Sequence, residues 1–187
     1  MNGQAIIVDE VELHRGWLNV IWRKVEHPNG GVQHYEIVNP DTHSVSVVAM
    51  DESDHVILVE MYRFGQDRRL KELPAGVPES GESLMDAIHR ELLEETGYEG
   101  SIVEVGSHFI AAEHGVTRHV FYAKGCKQVS QPRPDQSEID EGIKVVTVPV
   151  SEFIEIVRSG EITETGAAFM VLDHLDLLSP ARPARLT

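Results

Sequence analysis

The sequence predicts an α+β fold built on a mixed sheet. Three observations carry this: runs rich in β-branched residues fill the N-terminal third, a capped amphipathic helix follows at Leu84–Thr96, and two more helical patterns close the chain. Strands and helices do not alternate regularly, which excludes a doubly wound parallel sheet.

Residues 5–12, 17–26 and 32–38 read as strands, with His27-Pro28-Asn29-Gly30-Gly31 joining the last two. Asn-Gly suits a tight hairpin because the central residues of such a turn need positive φ. An antiparallel β-module is therefore expected over residues 1–40, ahead of a main domain over residues 41–178. Residues 44–50 and 55–61 flank the polar turn Asp51-Glu52-Ser53-Asp54 and form a second, buried hairpin. Residues 63–81 are charged and broken by Pro and Gly without a clean period. A structureless loop of that length inside a domain points to function. In the helix that follows, Ser83 is the cap, Asp86 takes the capping-box position, and Met85, Ile88 and Leu92 share a face. Gly97 suits the left-handed position past its last turn. Strands at 102–110, 119–123 and 143–150 and helices at 151–159 and 166–178 complete the fold, and residues 179–187 form a frayed tail.

The 187 residues carry 16 Lys plus Arg against 31 Asp plus Glu, a net charge of −15. Such a chain is repelled by nucleic acid and by anionic membrane surfaces, so neither is expected as a partner. The lone cysteine, Cys126, allows no intrachain disulfide, and neither a basic leader nor a long apolar span is present. A cytoplasmic protein is expected.

Residues 72–99 hold eight acids and one base, so −7 of the −15 is local. Within the helix, Glu91, Glu94 and Glu95 stand at i, i+3 and i+4 and present three carboxylates from one turn. Unaided, each like-charge pair at this spacing costs about 0.2–0.5 kcal/mol. A solvated acidic face is the plain reading of that pattern; a hard divalent cation is the functional one. Clustered carboxylates without thiolates select Mg2+ or Mn2+ over zinc.

The string from Gly76 to Tyr98 decides between them. It resembles the Nudix hydrolase signature, G-x5-E-x7-R-E-U-x-E-E-x-G-U with U aliphatic: Gly76, Glu82, Arg90, Glu91, Leu92, Glu94, Glu95 and Gly97 fall in register, and Tyr98 departs at the last position. The resemblance implies a Nudix-type α/β/α sandwich with a mixed sheet and Mg2+-dependent hydrolysis of a nucleoside diphosphate linked to another moiety, Mn2+ being a possible substitute. It implies Glu91 and Glu95 as principal metal ligands, Glu94 as a ligand directly or through water, and the Ala75 carbonyl as a further ligand. Glu82 would lie nearby, and Arg90 would be structural, paired with a box carboxylate such as Glu82. Metal ions would neutralise the diphosphate and acidify a bound water, so no covalent nucleophile is needed.

Glu72-Leu73-Pro74-Ala75-Gly76, Tyr35-Glu36-Ile37-Val38 and Glu60-Met61-Tyr62-Arg63 are similar to the ADP-ribose pyrophosphatase branch. That likeness implies ADP-ribose as substrate, cleaved to AMP and ribose 5-phosphate, and a homodimer whose N-terminal β-modules pack on or exchange with the partner. Arg63 and Glu72 are candidate substrate contacts, while Arg68, Arg69 and Lys71 either clamp a phosphate or, the plainer reading, are solvated loop charges. A glutamate before the strand at 143–150 would act as base or orient the water; Glu141 aligns best, with Glu138 second. Where the branch carries a proline after the signature, this chain has Glu113-His114-Gly115-Val116-Thr117. GDP-mannose and other nucleotide sugars therefore stay in view, as does a non-hydrolytic nucleotide-binding module. Glu113 is a candidate pocket residue. Trp17, Trp22 and Tyr35 either fill the β-module's core or stack on a purine.

Overall fold

The computed structural model describes residues 4–178; the expected tail at 179–187 lies outside the described residues. The chain forms two compact units. Among the described residues, one takes those up to His43 together with Phe109–Arg118, and the other takes Ser44–His108 and those from His119 onward. A boundary at residue 40 omits Phe109–Arg118, which folds with the first unit.

The first unit is built on a meander of β1 (Ile6–Arg15), β2 (Asn19–Glu26) and the first part of β3 (Val32–Asp51). β1 pairs antiparallel with β2, and β2 with β3 from Val20 opposite Val38 to Glu26 opposite Val32. Gly30, at φ 80°, makes the expected turn. β3 does not stop at residue 38 as the sequence suggests. Asn39 and Asp41 take positive φ (46° and 52°), a conformation their short polar side chains tolerate, so the strand bends and continues. Asn39 Oδ1 accepts the Asn19 amide at 2.7 Å across the bend.

The second unit contains the end of β3, β4 (His55–Arg63), β5 (Arg68–Glu72), β6 (Ala75–Gly76), α1 (Leu84–Thr96) and most of β7 (Tyr98–Phe109) and β8 (His114–Gln128). It closes with α2 (Gln136–Asp140), β9 (Lys144–Pro149), α3 (Val150–Ser159) and α4 (Thr165–His174). β4 is central, pairing antiparallel with β3, β5 and β9, while Lys71 and Ile162 make a parallel bridge. β5 and β6 lie inside the expected structureless loop, which is a correction. Arg-Arg-Leu-Lys-Glu does alternate, but one of its two buried residues, Leu70 and Glu72, is a carboxylate, which masks the period.

Side chains of β3 and β4 divide between two cores. Val45, Val47, Ala49 and Ile57 pack with Ala87, Ile88 and Leu92 of α1 and with Phe121. Val48, Met50, Val56 and Leu58 pack with Phe153 and Val157 of α3 and with Ala167, Val171 and Leu172 of α4. Helices therefore cover both faces of the sheet, the expected α/β/α layering, and Ser44 to Met50 are buried without interruption because no face is left wet. No helix among the described residues is long and apolar enough to cross a membrane.

Candidate active site

Helix α1 carries the site and forms as its sequence dictates. Ser83 Oγ accepts the Asp86 amide at 3.1 Å, and Gly97, at φ 76°, caps the far end through its amide to the Leu93 carbonyl. Ala87, Ile88 and Leu92 fix the buried face. That face rotates Glu91 and Glu95 inward toward Ala75 and Gly76 and leaves Glu94 half exposed.

Glu95 is 5% exposed, and its Oε2 accepts the Ala75 amide at 3.3 Å. Burial holds its carboxyl well above the usual range, and the charges of Glu138 and Glu91 push it further. Glu91 is raised as well, chiefly by burial, with Arg90 opposing the shift. A Cβ on residue 76 would collide with Glu91 Oε1, so any larger residue there would displace the Glu91 carboxylate from its place against the strand.

Arg90 does more than pair with Glu82. Its Nε and Nη2 donate to the two Glu82 oxygens at 2.9 and 3.0 Å, its Nη1 donates to Glu91 Oε1 at 2.8 Å and Glu94 Oε2 at 3.2 Å, and Nη2 reaches the Val77 carbonyl at 3.3 Å. Arg90 thus ties the loop before α1 to the helix and holds the Glu82 carboxyl below its ordinary range. With Glu91 and Glu94 drawn to Arg90, no group of three His, Cys, Asp or Glu side chains among the described residues is arranged as a metal cage. The donors nonetheless suit a hard cation: two inward carboxylates beside the Ala75 peptide, one of them buried with no arginine on it.

Arg63, at the end of β4, donates from Nε to Glu72 Oε1 at 2.7 Å and from Nη2 to Glu72 Oε2, and its Nη1 reaches Glu141 Oε2 at 2.8 Å. Glu72 is 3% exposed, so this fork neutralises a buried carboxylate. The two glutamates proposed as base are placed differently. Glu141 is held on Arg63, whereas Glu138 is hydrogen-bonded to Glu95 and its charge is felt at Glu91. Glu113 is exposed in the first unit, where its carbonyl accepts the Val38 amide at 2.9 Å.

Two features went unread in the sequence. The acidic segment holds the short helix α2, with a reciprocal capping box between Asp135 and Glu138, and the spacing Asp-x-x-Glu was its signal. Arg69, read as a solvated charge, donates from Nη2 to the Gly142 carbonyl at 2.7 Å. Of the two readings of the aromatic residues, the core one is corrected for both tryptophans: Trp17 is 93% exposed and Trp22, tilted against His34 at 5.2 Å between ring centroids, is 43% exposed, so neither fills a core in the single chain.

A profile of the NUDIX domain matches residues 40–165. An ADP-ribose pyrophosphatase of Mycobacterium tuberculosis is 32% identical over 166 residues, 86% of this chain and 78% of that one. An ADP-ribose pyrophosphatase of Bacillus subtilis is 30% identical over 149 residues, 79% of each chain. A GDP-mannose pyrophosphatase of Cronobacter sakazakii is 31% identical over 134 residues, 67% of this chain and 69% of that one. A crystal structure described as an ADP compounds hydrolase superposes with a TM-score of 0.77 at 20% identity, covering 94% of this chain and 96% of that one, which shows a common fold.

Proposed function

The chain belongs to the Nudix hydrolase family, and from that premise we propose that it is a Mg2+-dependent pyrophosphohydrolase acting on ADP-ribose to give AMP and ribose 5-phosphate. The observation that carries the metal reading is Glu95, a carboxylate sealed in the protein beside two others with no arginine on it. Burying that charge is costly unless a cation compensates it. Glu91, Glu95 and the Ala75 carbonyl would hold the metal, with Glu94 joining directly or through water. When bound, Mg2+ neutralises the diphosphate and lowers the pKa of water. The α2 segment supplies the carboxylate that orients or deprotonates that water. Its position against Glu91 and Glu95 favours Glu138, while Glu141, kept on Arg63, is the other candidate. Arg63 and Glu72 would meet the substrate as a pair, and Glu113 is retained as a pocket residue on the sequence argument alone.

Similarity to two ADP-ribose pyrophosphatases over about four-fifths of the chain favours ADP-ribose. GDP-mannose is the second reading, favoured by the Cronobacter relative. Two copies are proposed to pair through the N-terminal strands, whose Ile6, Ile7, Val8, Val11 and Leu13 are about half exposed in the single chain. A cytoplasmic location is retained as a proposal on the sequence argument alone.

The test is hydrolysis of ADP-ribose, GDP-mannose, UDP-glucose and diadenosine polyphosphates with Mg2+ or Mn2+, in the wild type and in Glu95→Gln. ADP-ribose is expected to give the highest kcat/KM, and the variant to lose at least about 10^3-fold while remaining folded. Near-normal turnover in Glu95→Gln would end the metal assignment, and a flat panel would favour a non-hydrolytic binding module.

A further inference from the structure

Helix α2 brings Glu138 to the inward carboxylates of α1, yet α2 has five residues and none of them is buried. A helix so short is not stable by itself, and with no buried residue it is placed largely by the polar bonds that tether it. Its N-terminal half is closed by the local box between Asp135 and Glu138, a bond within the segment, and the chain just ahead of it is tied to α1 by the Arg133 amide on the Glu94 carbonyl at 2.7 Å. The tethers to the sheet lie at its other end. The Tyr62 amide donates to the Glu141 carbonyl at 2.9 Å, Arg63 Nη1 to the Glu141 carboxylate at 2.8 Å, and Arg69 Nη2 to the Gly142 carbonyl at 2.7 Å.

Arg69 is built for this contact. Its Nε donates to Glu60 Oε1 at 2.8 Å and its Nη2 also donates to the Glu60 carbonyl at 2.9 Å, so the guanidinium is fixed on β4 before it reaches across. At Gly142 the chain takes φ 67°, and a Cβ there would come within 3.4 Å of Arg69 Nη1. The backbone therefore turns beneath the guanidinium with no side chain between them. A planar fork can bond Glu60 and Gly142 together, which the single ammonium of a lysine does less well.

We propose that Arg69 is a positioning residue: by clasping Gly142 to Glu60 it fixes the turn after α2 and so holds the Glu138 carboxylate at the site. This rests on the pyrophosphohydrolase reading for its kinetic consequence, but the clasp itself is measurable without turnover. Misplacing a group by about 1 Å can cost on the order of 10^2-fold in rate. Removing the clasp should act on the chemical step, because Arg69 does not reach the Glu91, Glu95 and Ala75 group.

The experiment compares wild type, Arg69→Gln and Arg69→Lys by steady-state kinetics on the preferred substrate of the panel, by hydrogen exchange and by thermal unfolding. Arg69→Gln should lower kcat by at least about tenfold with KM within about threefold, and Arg69→Lys should recover part of the loss. Exchange should quicken over residues 136–143 alone, with Tm held within about 2 °C, since an exposed polar contact carries little global stability. A kcat within about threefold of wild type in Arg69→Gln, or unchanged exchange across 136–143, would overturn the clasp. A general rise in exchange with a lower Tm would also overturn it, by showing a merely structural arginine. If the wild type hydrolyses nothing, the exchange arm still decides the clasp while the functional reading fails separately.

Discussion

The two units put their apolar strand residues to opposite use. In the second, valines and isoleucines of β3 and β4 are sealed between α1 on one face and α3 with α4 on the other. In the first, Ile6, Ile7, Val8, Val11 and Leu13 stand about half exposed, Trp17 almost wholly so, and Val116 is the one buried hydrophobic residue among those described. Strand propensity makes both regions β-structure, but only a covering layer turns a strand into a core. The second unit carries its own cover and can hold carboxylates rigidly. The first is held by ladder hydrogen bonds and by exposed pairs such as Arg23 with Glu10 at 2.6 Å, which contribute little singly.

The sharpest way to break this contrast is to remove a large side chain from the second unit. Phe153 is fully buried among the side chains of the α3 and α4 core, and Phe153→Ala should cost about 3–5 kcal/mol. For a chain of this size that corresponds to a fall in Tm of about 6–20 °C, read by thermal unfolding. A fall below about 3 °C would show that the core relaxes and that its rigidity has been overstated.

A smaller effect tests the first unit. Val11→Lys places a charge on an exposed strand position, and in an isolated chain such changes stay within about 0.5 kcal/mol. If two copies pair through these strands, the same substitution should shift micromolar protein from dimer to monomer by light scattering while leaving the second unit's melting transition in place. A wild type that is already monomeric would remove the dimer proposal. A large loss of Tm in a monomeric wild type would show that the β1 face is covered within one chain.

Legibility followed the distance over which each signal acts. The cap at Ser83, the stop at Gly97 and the gathering of Glu91, Glu94 and Glu95 on one turn were readable because capping and helical period are local. Arg63 was identified from its place after a strand, but its partners were not. Glu72 lies nine positions away and Glu141 seventy-eight, and only strand pairing brings them together. β5 stayed hidden because its inward Glu72 looks polar in sequence and becomes core only through the Arg63 fork. The exposure of Trp17 and Trp22 was illegible for the opposite reason, since apolar residues in a strand say nothing about whether a second layer exists to bury them.

Cys126 offers the finest probe of the difference. It is buried in the core beneath α1, and burial raises its thiol to about 11. At pH 8 only about one part in 10^3 is thiolate, against roughly a quarter of an unperturbed thiol, so chemistry alone slows alkylation about 10^2-fold before access is considered. Labelling in native buffer therefore reports opening of the second unit. Iodoacetamide should modify Cys126 within minutes in urea and only over many hours without it. Phe153→Ala should speed the native reaction in proportion to its loss of stability, by about 10^2-fold or more if opening is global. Val11→Lys should leave it unchanged, because no buried contact of this thiol runs through β1. Equal acceleration by both substitutions would mean that the two units open together, and the contrast between a covered and an uncovered sheet would then describe one cooperative body.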